Sequence, residues 1–512
     1  MNLTKIKKIY MIGIKGVGMT MLAQYLTGQA RFRQGYSGQE IEVIGSDIAE
    51  KFMTDKVLEK AGIEVIEKFD ASNIPQDADL IIYSSAYNAE NNIEAAQAIS
   101  GKIKTLTYAK ALGEVFNQKY GIAVVGSHGK TTATAWLGYV MKQAGMEPNV
   151  MAGAHVGQFS GCGITGSSDY LVVEADEYQN KLKYLQPKAV LLNNIDYDHP
   201  DFFAAKDEYK NVFVKFIKKI PAKGFIVANY DDSMVRKVTT KRNCKIISYA
   251  INQNNKADYL AYNIRQRGWK QFFKVKIRGA GSFSEGEETV SRLQKKNLGD
   301  FCIQLLGKHN ISNALAVIAA CVELRIELAD IKKYLGEFKG AARRMQVLGA
   351  FKGAIIIDDY AHHPTEIKAT LAGAREVYKK NKLIIVFHPH TFSRTKVFLN
   401  DFAASFGLAD EIIVLDIYGS AREKQGGVHS RDLVELIRRQ TTPQYRSAQT
   451  GQADDPAISL RSNGAGRRQN IKYISTLDEC EKYLRDNIGK GDVVILMGAG
   501  DVFRIGEKLV GK

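Results

Sequence analysis

The chain has 512 residues, of which 45% are apolar and 25% charged, a composition typical of globular proteins and a length that suits three domains. Its apolar runs stay well short of the roughly 18 residues that a membrane span needs, which argues against an integral membrane protein. The net charge of +16, from 71 basic and 55 acidic residues, suits anionic substrates. No dense basic tract with interleaved aromatic residues points to nucleic acid.

Cysteine usage and the first residues both predict a cytoplasmic protein. The five cysteines are scattered and form no C-x-x-C pair, which argues against a disulfide framework and against structural zinc. The chain opens with basic residues before a short apolar run, but this run is strand-like and ends in glycines instead of a cleavage site. We therefore expect no signal peptide.

The first predicted domain, residues 1–120, alternates short strands with helices, as in a parallel sheet flanked by helices. Its opening motif, GIKGVGMT, is a glycine turn that suits a diphosphate at a helix N-terminus or serves only as a tight turn. In the first case, Lys15 of this motif adds a cation to the site. Asp47, after the second strand, fits either a ribose contact or, with Glu50, a capping box at a helix start.

The second predicted domain, residues 121–340, opens with AVVGSHGKTTATAWL, which reads as a buried strand, a glycine turn and a helix. Backbone N–H groups and the helix dipole at such a turn favour a polyanion, to which Lys130 adds positive charge and Thr131 a hydroxyl for Mg²⁺. The full G-x-x-x-x-G-K-[ST] pattern is not met, because Val124 stands at the first glycine position. We interpret the stretch as a nucleotide-phosphate loop, with an ordinary turn as the alternative.

Acidic and polar residues follow two later buried strands of this domain. The stretch VVEADEY places Glu174, Asp176 and Glu177 at a strand end, where carboxylates either hold Mg²⁺ or form a solvated loop. The stretch NNIDYDHPDFF carries His199, an unusual ligand for an ion that prefers oxygen. Further on, GKHNISNALA begins a buried helix, where Asn310 either contacts an adenine edge or caps the helix.

The third predicted domain, residues 341–512, again alternates strands with helices. The stretches DDYAHHPTEI and FHPHTFSRT hold four of the nine histidines at strand ends, where open α/β sheets bind ligands. A zinc cluster lacks the ligand spacing of known motifs. A pocket for an anion and an amine fits better, with Arg394 holding a carboxylate. Arg343 and Arg344 are either phosphate ligands or surface charge.

Antiparallel strands are predicted around NIRQRGWKQFFKVKIRG, near the end of the second domain. Two polar segments, residues 279–300 and 446–470, have little to bury and are predicted to be an exposed insertion and a loop.

Taken in chain order, the motifs resemble those of the Mur ligase family, the ATP-dependent amide ligases of peptidoglycan precursor synthesis. The matching stretches are GIKGVGMT, IIYSSA, GSHGKTT, EADE, NNIDYDHPDFF, GKHNISNALA, ARRM, DDYAHHPTEI, HPHTFSRT, DIYGSARE and MGAGD. The resemblance implies an α/β fold of three domains. These are an N-terminal Rossmann-like domain for the UDP-sugar, a central P-loop ATPase-type domain with a mixed sheet, and a C-terminal Rossmann-like domain that contacts ATP and the amino acid.

The resemblance also implies a set of site residues. ATP would be bound by Gly126, Ser127, His128, Gly129, Lys130, Thr131, Thr132, His309, Asn310, Arg343 and Asp359. The UDP-sugar and the amino acid would be bound by Gly16, Gly18, Asp47, Ser84, Ser85, Asn194, Tyr360, His362, His390 and Arg394. Mg²⁺ or Mn²⁺ would be held by Thr131, Glu174 and His199. The residues implied in catalysis are Lys130, Glu174, His199, His362 and Arg394.

The activity implied is the ATP-dependent joining of L-alanine to the lactyl carboxylate of UDP-N-acetylmuramate through an acyl phosphate. The enzyme would be a cytoplasmic monomer or homodimer with small-molecule substrates and no nucleic-acid or membrane partner. Two stretches, EADEYQNKLKYLQP and NNIDYDHPDFF, partly resemble a recycling relative that attaches a whole peptide to the same sugar. A non-catalytic UDP-sugar sensor on the same fold is a third alternative, against which the intact Lys130, Thr131 and Glu174 argue. Lys15 stands where the family loop usually has glycine.

Overall fold

The structure is a computed structural model that describes residues 6–29, 41–240, 242–278, 297–419, 423, 425–441 and 469–511. The described strands form three sheets that follow one another along the chain. The chain divides into two compact units. The first comprises Met1–Tyr197, Ala205–Leu305 and His309–Ala342, and the second comprises Asp198–Ala204, Leu306–Lys308 and Arg343–Lys512.

The first sheet is parallel and has the order β3-β2-β1-β4-β5. Its strands are β1 (Lys8–Ile12), β2 (Glu42–Ser46), β3 (Glu64–Ile66), β4 (Leu80–Tyr83) and β5 (Thr105–Thr107). Its helices are Val17–Gln29, Asp55–Lys60, Ile93–Ser100 and Tyr108–Phe116, with a 3₁₀ turn at Ala71–Asn73. The connections run in opposite directions on either side of β1. A ligand crevice is therefore expected at the carboxyl ends of β1 and β4.

The second sheet is mixed and has the order β15-β14-β13-β12-β11-β10-β6-β9-β7-β8. Its strands are β6 (Tyr120–Val125), β7 (Asn149–Val156), β8 (Gly161–Ile164), β9 (Tyr170–Glu174), β10 (Ala189–Leu192), β11 (Phe225–Asn229), β12 (Lys245–Ala250), β13 (Tyr259–Arg267), β14 (Lys270–Ile277) and β15 (Asn297–Ile303). The middle strands are parallel, while β13 to β15 and the β7–β8 pair are antiparallel. Because β6 lies between β10 and β9, the polar residues after these three strands meet at one edge.

The helices of this part pack against strands of the sheet, against one another and against a 3₁₀ turn. They are Lys130–Gln143, Lys206–Ile217, Ser233–Thr239, Lys308–Glu323 and Leu328–Glu337, with 3₁₀ turns at Gly157–Phe159 and Tyr178–Tyr184. Trp136, fully buried, stacks on Phe338 with ring centroids 5.4 Å apart and donates its indole N–H to the carbonyl of Leu335. These contacts fix the helix that follows the glycine turn.

The third sheet has the order β16-β17-β21-β18-β19-β20, and β16 is its antiparallel strand. Its strands are β16 (Gln346–Phe351), β17 (Ala354–Asp359), β18 (Lys382–Phe387), β19 (Glu411–Val414), β20 (Asn470–Tyr473) and β21 (Asp492–Met497). Its helices are Pro364–Val377, Phe392–Val397, Leu399–Ala403, Ser430–Thr441, Leu477–Asn487 and Phe503–Val510. The histidine-rich stretches follow β17 and β18, which β21 separates in the sheet.

The predicted fold class is confirmed, including the mixed sheet and the antiparallel strands near its end. The boundaries 1–120, 121–340 and 341–512 stay predictions. Among the described residues, no helix combines the length and the apolar character that crossing a bilayer requires. Most of the two predicted exposed segments, residues 279–296 and 446–468, lies outside the described residues. Against the prediction, residues 297–300 begin strand β15 and Asn470 begins β20.

Two predicted helix caps are wrong. Asp47 and Glu50 do not begin a helix, because the helix after β2 starts at Asp55 with Thr54 at its N-cap. Asn310 does not cap the helix at GKHN, because that helix already starts at Lys308.

Candidate active site

The glycine turn after β6 needs its two glycines for backbone reasons. Gly126 has φ +134° and Gly129 has φ +77°, conformations that residues with a side chain rarely adopt. A Cβ atom on Gly129 would also lie 2.6 Å from the amide oxygen of Asn313. The helix begins at Lys130, immediately after Gly129. Its first N–H groups therefore point to the concave side of the turn, as an anion requires.

The residues after β10 hold this turn in place. The Asn194 amide accepts from the backbone N–H of His128 at 2.7 Å and donates to the carbonyl of the same residue at 3.1 Å. The Ser127 hydroxyl donates to the carbonyl of Asp196 at 2.6 Å, and the Asp196 carboxylate lies 2.9 Å from Nε2 of His128. Asn194 thus supports the turn, and its predicted contact with a substrate stays a prediction.

Lys130 folds back over the turn in this structure. Its ammonium donates to the carbonyls of Gly126 at 2.6 Å and Ser127 at 3.2 Å, and it pairs with the fully buried Glu177 at 3.1 Å. Burial alone would lower the Lys130 pKa. The nearby carboxylates, Glu177 foremost, outweigh burial and raise this pKa above its ordinary value. The ammonium is therefore charged at neutral pH and positioned beside the glycine turn.

Thr131 and Glu174 are in contact, and their predicted role as metal ligands stays a prediction. The Thr131 hydroxyl donates to one oxygen of the Glu174 carboxylate at 2.9 Å, and the backbone N–H of Gly153 on β7 donates to the other at 2.5 Å. A Cβ atom on Gly153 would lie 2.4 Å from this carboxylate. The carboxylate can take this position because residue 153 has no side chain. A hydroxyl and a carboxylate are hard oxygen donors, which fit Mg²⁺.

Other predicted nucleotide residues of the first unit lie at the start of the helix Lys308–Glu323. The side-chain amide of Asn310 lies 3.1 Å from Nε2 of His309, and its oxygen accepts from Asn313 at 3.1 Å. Thr132 is buried in the helix after the glycine turn. The amide oxygen of Asn313 lies against Gly129, 2.6 Å from the position that a Cβ atom would take. It therefore connects the Asn310 amide to the phosphate turn.

The glycine turn of the first sheet is crowded from the inside. A Cβ atom on Gly18 would lie 2.8 Å from the Tyr108 ring, whereas one on Gly16 meets only the Gly13 carbonyl, at 3.6 Å. Ser84 and Ser85 follow β4 beside this turn and are partly buried. The turn is open at Gly16, as a diphosphate contact would need, while Gly18 is required by Tyr108.

Asp47 and Lys15 are both buried next to this turn. The Asp47 carboxylate accepts from the backbone N–H groups of Lys15 at 2.8 Å and Ile48 at 2.9 Å. Burial is the largest influence on the Asp47 pKa and raises it, against the effect of these hydrogen bonds. The prediction that Lys15 adds a cation to a diphosphate site is wrong, because its ammonium pairs with Asp55 at 3.1 Å and Glu67 at 2.9 Å.

In the second unit, Arg394 forms a buried ion pair. Its Nε donates to Asp198 at 2.9 Å and its Nη2 donates to the other carboxylate oxygen at 3.2 Å, with both side chains about 5% exposed. Burial opposes ionisation of Asp198, but Arg394 and neighbouring histidines overcome it and hold the Asp198 pKa well below its usual range. Arg394 thus binds a carboxylate through two hydrogen bonds. That carboxylate belongs to the protein, so the predicted contact with a substrate stays a prediction.

The tautomers of His390 and His362 follow from their partners. Arg394 can only donate, so Nδ1 of His390, 3.1 Å from Nη1 of Arg394, accepts and the ring proton lies on Nε2. Nδ1 of His362 lies 3.0 Å from the carbonyl of Tyr360 and 3.3 Å from Glu366, so it donates and Nε2 carries the lone pair. The rings are 6.1 Å apart and nearly perpendicular. The pair therefore offers one donor and one acceptor, which matches the carboxylate and amine of an amino acid.

We expect acid to destabilise the protein through these two histidines before most carboxylates titrate. Burial is the main reason why the pKa of His362 falls from 6.5 to about 4 and that of His390 to about 2. At any pH between the folded-state pKa of each histidine and its ordinary pKa of 6.5, the unfolded chain binds more protons than the folded chain. Each histidine should therefore remove up to about 1.4 kcal/mol of unfolding free energy per unit of falling pH.

Urea unfolding at several values between about pH 7 and pH 4.5 measures this effect. The variant His362→Gln should show a shallower dependence than the parent protein. An unfolding free energy that stays constant through this window would contradict the burial of neutral imidazoles.

Arg343 is surrounded by partners of its own unit. Its guanidinium donates to Asp358 at 3.1 Å and to the carbonyl of Gly498 at 2.7 Å, and it lies over the rings of Tyr360 and Phe503. The interpretation of Arg343 as plain surface charge is wrong, and its contact with ATP stays a prediction. Asp358, buried beside it, has its pKa raised to about 6 by burial.

Asp359 supports the backbone around Tyr360. Its carboxylate accepts from the N–H groups of Met345 at 2.8 Å and Ala361 at 2.9 Å.

His199 belongs to the second compact unit, whereas Thr131 and Glu174 belong to the first. The backbone of His199 has φ +56°, and its N–H donates to the Asp198 carboxylate at 2.7 Å. Its role as a metal ligand stays a prediction.

Sequence reasoning missed the contacts of three residues. Glu177 is predicted as a Mg²⁺ ligand or a loop acid and not as the partner of Lys130, while Asp198 and Gly153 carry no predicted role. A buried carboxylate leaves no mark in one sequence unless its basic partner is known. Gly153 had a weak signal, since glycine inside an apolar strand often marks a close approach.

Three family models match the chain in succession: "Mur ligase family, catalytic domain" at residues 8–120, "Mur ligase middle domain" at 124–321 and "Mur ligase, glutamate ligase domain" at 343–500. A protein of Desulfitobacterium hafniense named UDP-N-acetylmuramate–L-alanine ligase is 35% identical over 98% of this chain and 99% of its own length. A protein of the same name from Acetivibrio thermocellus is 36% identical over 98% and 95%.

Solved structures share the fold over the whole chain. UDP-N-acetylmuramate–alanine ligase from Thermotoga maritima has a TM-score of 0.73 at 24% identity and covers 98% of both chains. A murein peptide ligase from Psychrobacter arcticus has a TM-score of 0.67 at 23% identity and covers 99% of this chain and 98% of its own.

Proposed function

The chain belongs to the Mur ligase family, and from this premise we propose that it joins L-alanine to the lactyl carboxylate of UDP-N-acetylmuramate. As a member of the family it is an ATP-dependent ligase that forms amide bonds. The alanine assignment rests on relatives of that name that match nearly the full length of the chain. The single structural observation that supports phosphoryl transfer from ATP is the charged Lys130 at a glycine turn, next to the paired Thr131 and Glu174.

The chemistry explains why such a turn is needed. A carboxylate does not react with an amine, because its oxide is a poor leaving group. We propose that the γ-phosphoryl group of ATP is first transferred to the lactyl carboxylate, and that the alanine amine then displaces phosphate. Lys130 and the N–H groups of the turn bind the phosphate oxygens and neutralise their charge during the transfer.

We propose that Thr131 and Glu174 hold Mg²⁺ or Mn²⁺, with His199 as a further ligand. The Thr131 hydroxyl and the Glu174 carboxylate are oxygen donors that fit a hard cation, and they lie 2.9 Å apart. When bound, the ion supplies positive charge that stabilises the transferring phosphoryl group. The Gly153 N–H group orients the Glu174 carboxylate for this role.

A methyl group on Gly153 should weaken metal binding. In Gly153→Ala the new Cβ would approach the Glu174 carboxylate to 2.4 Å, so that the carboxylate must turn away from Thr131. We expect the affinity for Mn²⁺ to fall by about tenfold or more, together with turnover. Mn²⁺ binding is measured by electron paramagnetic resonance on the protein with a non-hydrolysable ATP analogue.

The matched control is Gly157→Ala in the same segment, where a Cβ would meet nothing within 4 Å. This variant should bind Mn²⁺ like the parent. Equal affinities for Mn²⁺ in the two alanine variants would contradict the role of Gly153.

We propose that the amino acid binds between His390 and His362. The Nε2–H of His390 donates to the carboxylate of alanine, and Nε2 of His362 accepts from its amine, consistent with their tautomers. A pKa of about 4 makes His362 a weak base. We therefore assign it to orienting the amine, and not to holding the released proton. Tyr360 lies next to His362, with ring centroids 5.1 Å apart.

We also propose a cytoplasmic monomer or homodimer that acts on small molecules alone. All five cysteines are free in this structure, as a reducing compartment requires. ATP and UDP-sugars are both anions, which suit the net charge of +16.

A ligation assay tests the proposal. The protein is supplied with UDP-N-acetylmuramate, ATP and either L-alanine, glycine, L-serine or a tripeptide, and the products are weighed by mass spectrometry. We expect the alanine adduct to form fastest. An adduct with the tripeptide alone would assign the recycling reaction instead, and ATP-independent sugar binding without any adduct would indicate a sensor.

A further inference from the structure

Lys15 is the most fully buried cation among the described residues of the first sheet region, and the phosphate chemistry does not use it. Its side chain is 1% exposed. The ammonium donates to the carbonyls of Ile48 and Glu50, both at 3.0 Å, and pairs with Asp55 and Glu67. A buried ammonium is tolerated only when its three N–H groups are satisfied, and these four oxygens do so.

The backbone of Lys15 is bound to the same segment. Its N–H donates to the Asp47 carboxylate at 2.8 Å, and its carbonyl accepts from the Thr54 hydroxyl at 2.5 Å. Each polar group of Lys15 therefore contacts residues 47–55 or the nearby Glu67. This residue ties the glycine turn after β1 to the whole connection between β2 and the next helix.

The segment 47–55 has the features of a nucleoside-binding surface. It presents three large apolar side chains to solvent, Ile48, Phe52 and Met53, each about 40% exposed. It begins with Asp47, at the carboxyl end of β2, where an acid in such sheets meets a ribose. Apolar side chains suit the face of a base, and a carboxylate suits sugar hydroxyls.

We infer that Lys15 is a positioning residue that fixes the segment 47–55 against the glycine turn and thereby sets the affinity for the uridine half of the UDP-sugar. The inference rests on the proposed function, because it takes the UDP-sugar to bind at the first sheet. Lys15 does not touch the ligand. It acts through Asp47 and the backbone of Ile48 and Glu50.

The test compares Lys15→Met with Lys8→Met. Lys8 lies at the opposite end of β1 and also pairs with two carboxylates, Glu42 at 3.2 Å and Asp77 at 2.7 Å. In Lys15→Met, Asp55 and Glu67 remain 23% and 38% exposed and can be hydrated, so the variant should fold. A second variant, Thr54→Val, removes one hydrogen bond to Lys15 without changing any charge.

Calorimetry measures the binding of UDP-N-acetylmuramate and, separately, of ATP, and hydrogen exchange reports on residues 47–55. For Lys15→Met we expect the UDP-sugar affinity to fall about tenfold or more, with ATP affinity unchanged and faster exchange at 47–55. Thr54→Val should shift both readouts in the same direction by less, and Lys8→Met should change neither.

Two results would overturn the inference: unchanged UDP-sugar affinity in Lys15→Met, or an equal loss of ATP affinity, which indicates general destabilisation. If the parent protein itself does not bind the UDP-sugar, the proposed function fails. The exchange measurement then still decides whether Lys15 holds the segment, since exchange at 47–55 that is the same in Lys15→Met and the parent would refute that hold.

Discussion

Replacing Lys130 with alanine should abolish the release of ADP while leaving UDP-N-acetylmuramate binding intact. Lys130 is the cation at the phosphate turn, and Glu177 keeps it charged. Groups that neutralise charge on a transferring phosphoryl are worth about 10³-fold or more in rate. Coupled ADP measurement gives the rate, and calorimetry with the sugar nucleotide shows that the first sheet is unaffected.

Two further variants separate this effect from unfolding. Lys130→Ala leaves Glu177 buried without its cation, so Lys130→Ala/Glu177→Gln should recover stability but not turnover. Lys142→Ala, at the exposed far end of the same helix, should behave like the parent. Turnover near the parent rate in Lys130→Ala would contradict the assignment of the turn to phosphoryl transfer.

Replacing Asp198 with asparagine should cost about 3–5 kcal/mol of unfolding free energy, because it removes the carboxylate that is hydrogen-bonded to the buried Arg394. Arg394 donates one hydrogen bond to each carboxylate oxygen of Asp198. An asparagine amide has a single acceptor oxygen and can accept only one of them. Arg394 also fixes His390 through Nη1, so the variant should lose alanine affinity as well. Urea unfolding at neutral pH measures the stability.

The control is the exposed helix pair Arg439–Glu435, whose side chains are 74% and 65% exposed. Glu435→Gln should change the unfolding free energy by less than about 0.5 kcal/mol. A comparable loss in the two variants, or none in Asp198→Asn, would mean that the buried pair does not hold the amino-acid site together.

Local pattern was enough to predict the α/β sheets and the glycine turn after β6. Apolar runs such as AVLL of β10 and FIVAN of β11 are buried on both faces, which is what parallel strands under helices require. Gly126 and Gly129 adopt positive φ angles that favour glycine, so the turn can be predicted from the local sequence. Thr131 and Glu174 are paired by the family resemblance, and the structure places them in contact because β9 neighbours β6 in the sheet.

Contacts between distant residues could not be predicted. Arg394 was expected to bind a substrate carboxylate, and its partner Asp198 lies 196 residues away. Lys15 was expected to face a diphosphate because a lysine in a glycine turn reads as a cation for a ligand. Whether its charge is already neutralised depends on Asp55 and Glu67, which only the folded chain brings near. Asp47 and Glu50 have the spacing of a capping box, but the Asp47 carboxylate accepts a hydrogen bond from the N–H of Lys15 instead.

The central claim is that the lactyl carboxylate is phosphorylated before the amide bond forms. It is tested by supplying UDP-N-acetylmuramate labelled with oxygen-18 in that carboxylate, together with unlabelled ATP and L-alanine. We expect the released phosphate to carry one labelled oxygen, because the carboxylate oxygen leaves with the phosphoryl group. Phosphate free of label, with the amide product formed, would contradict the account.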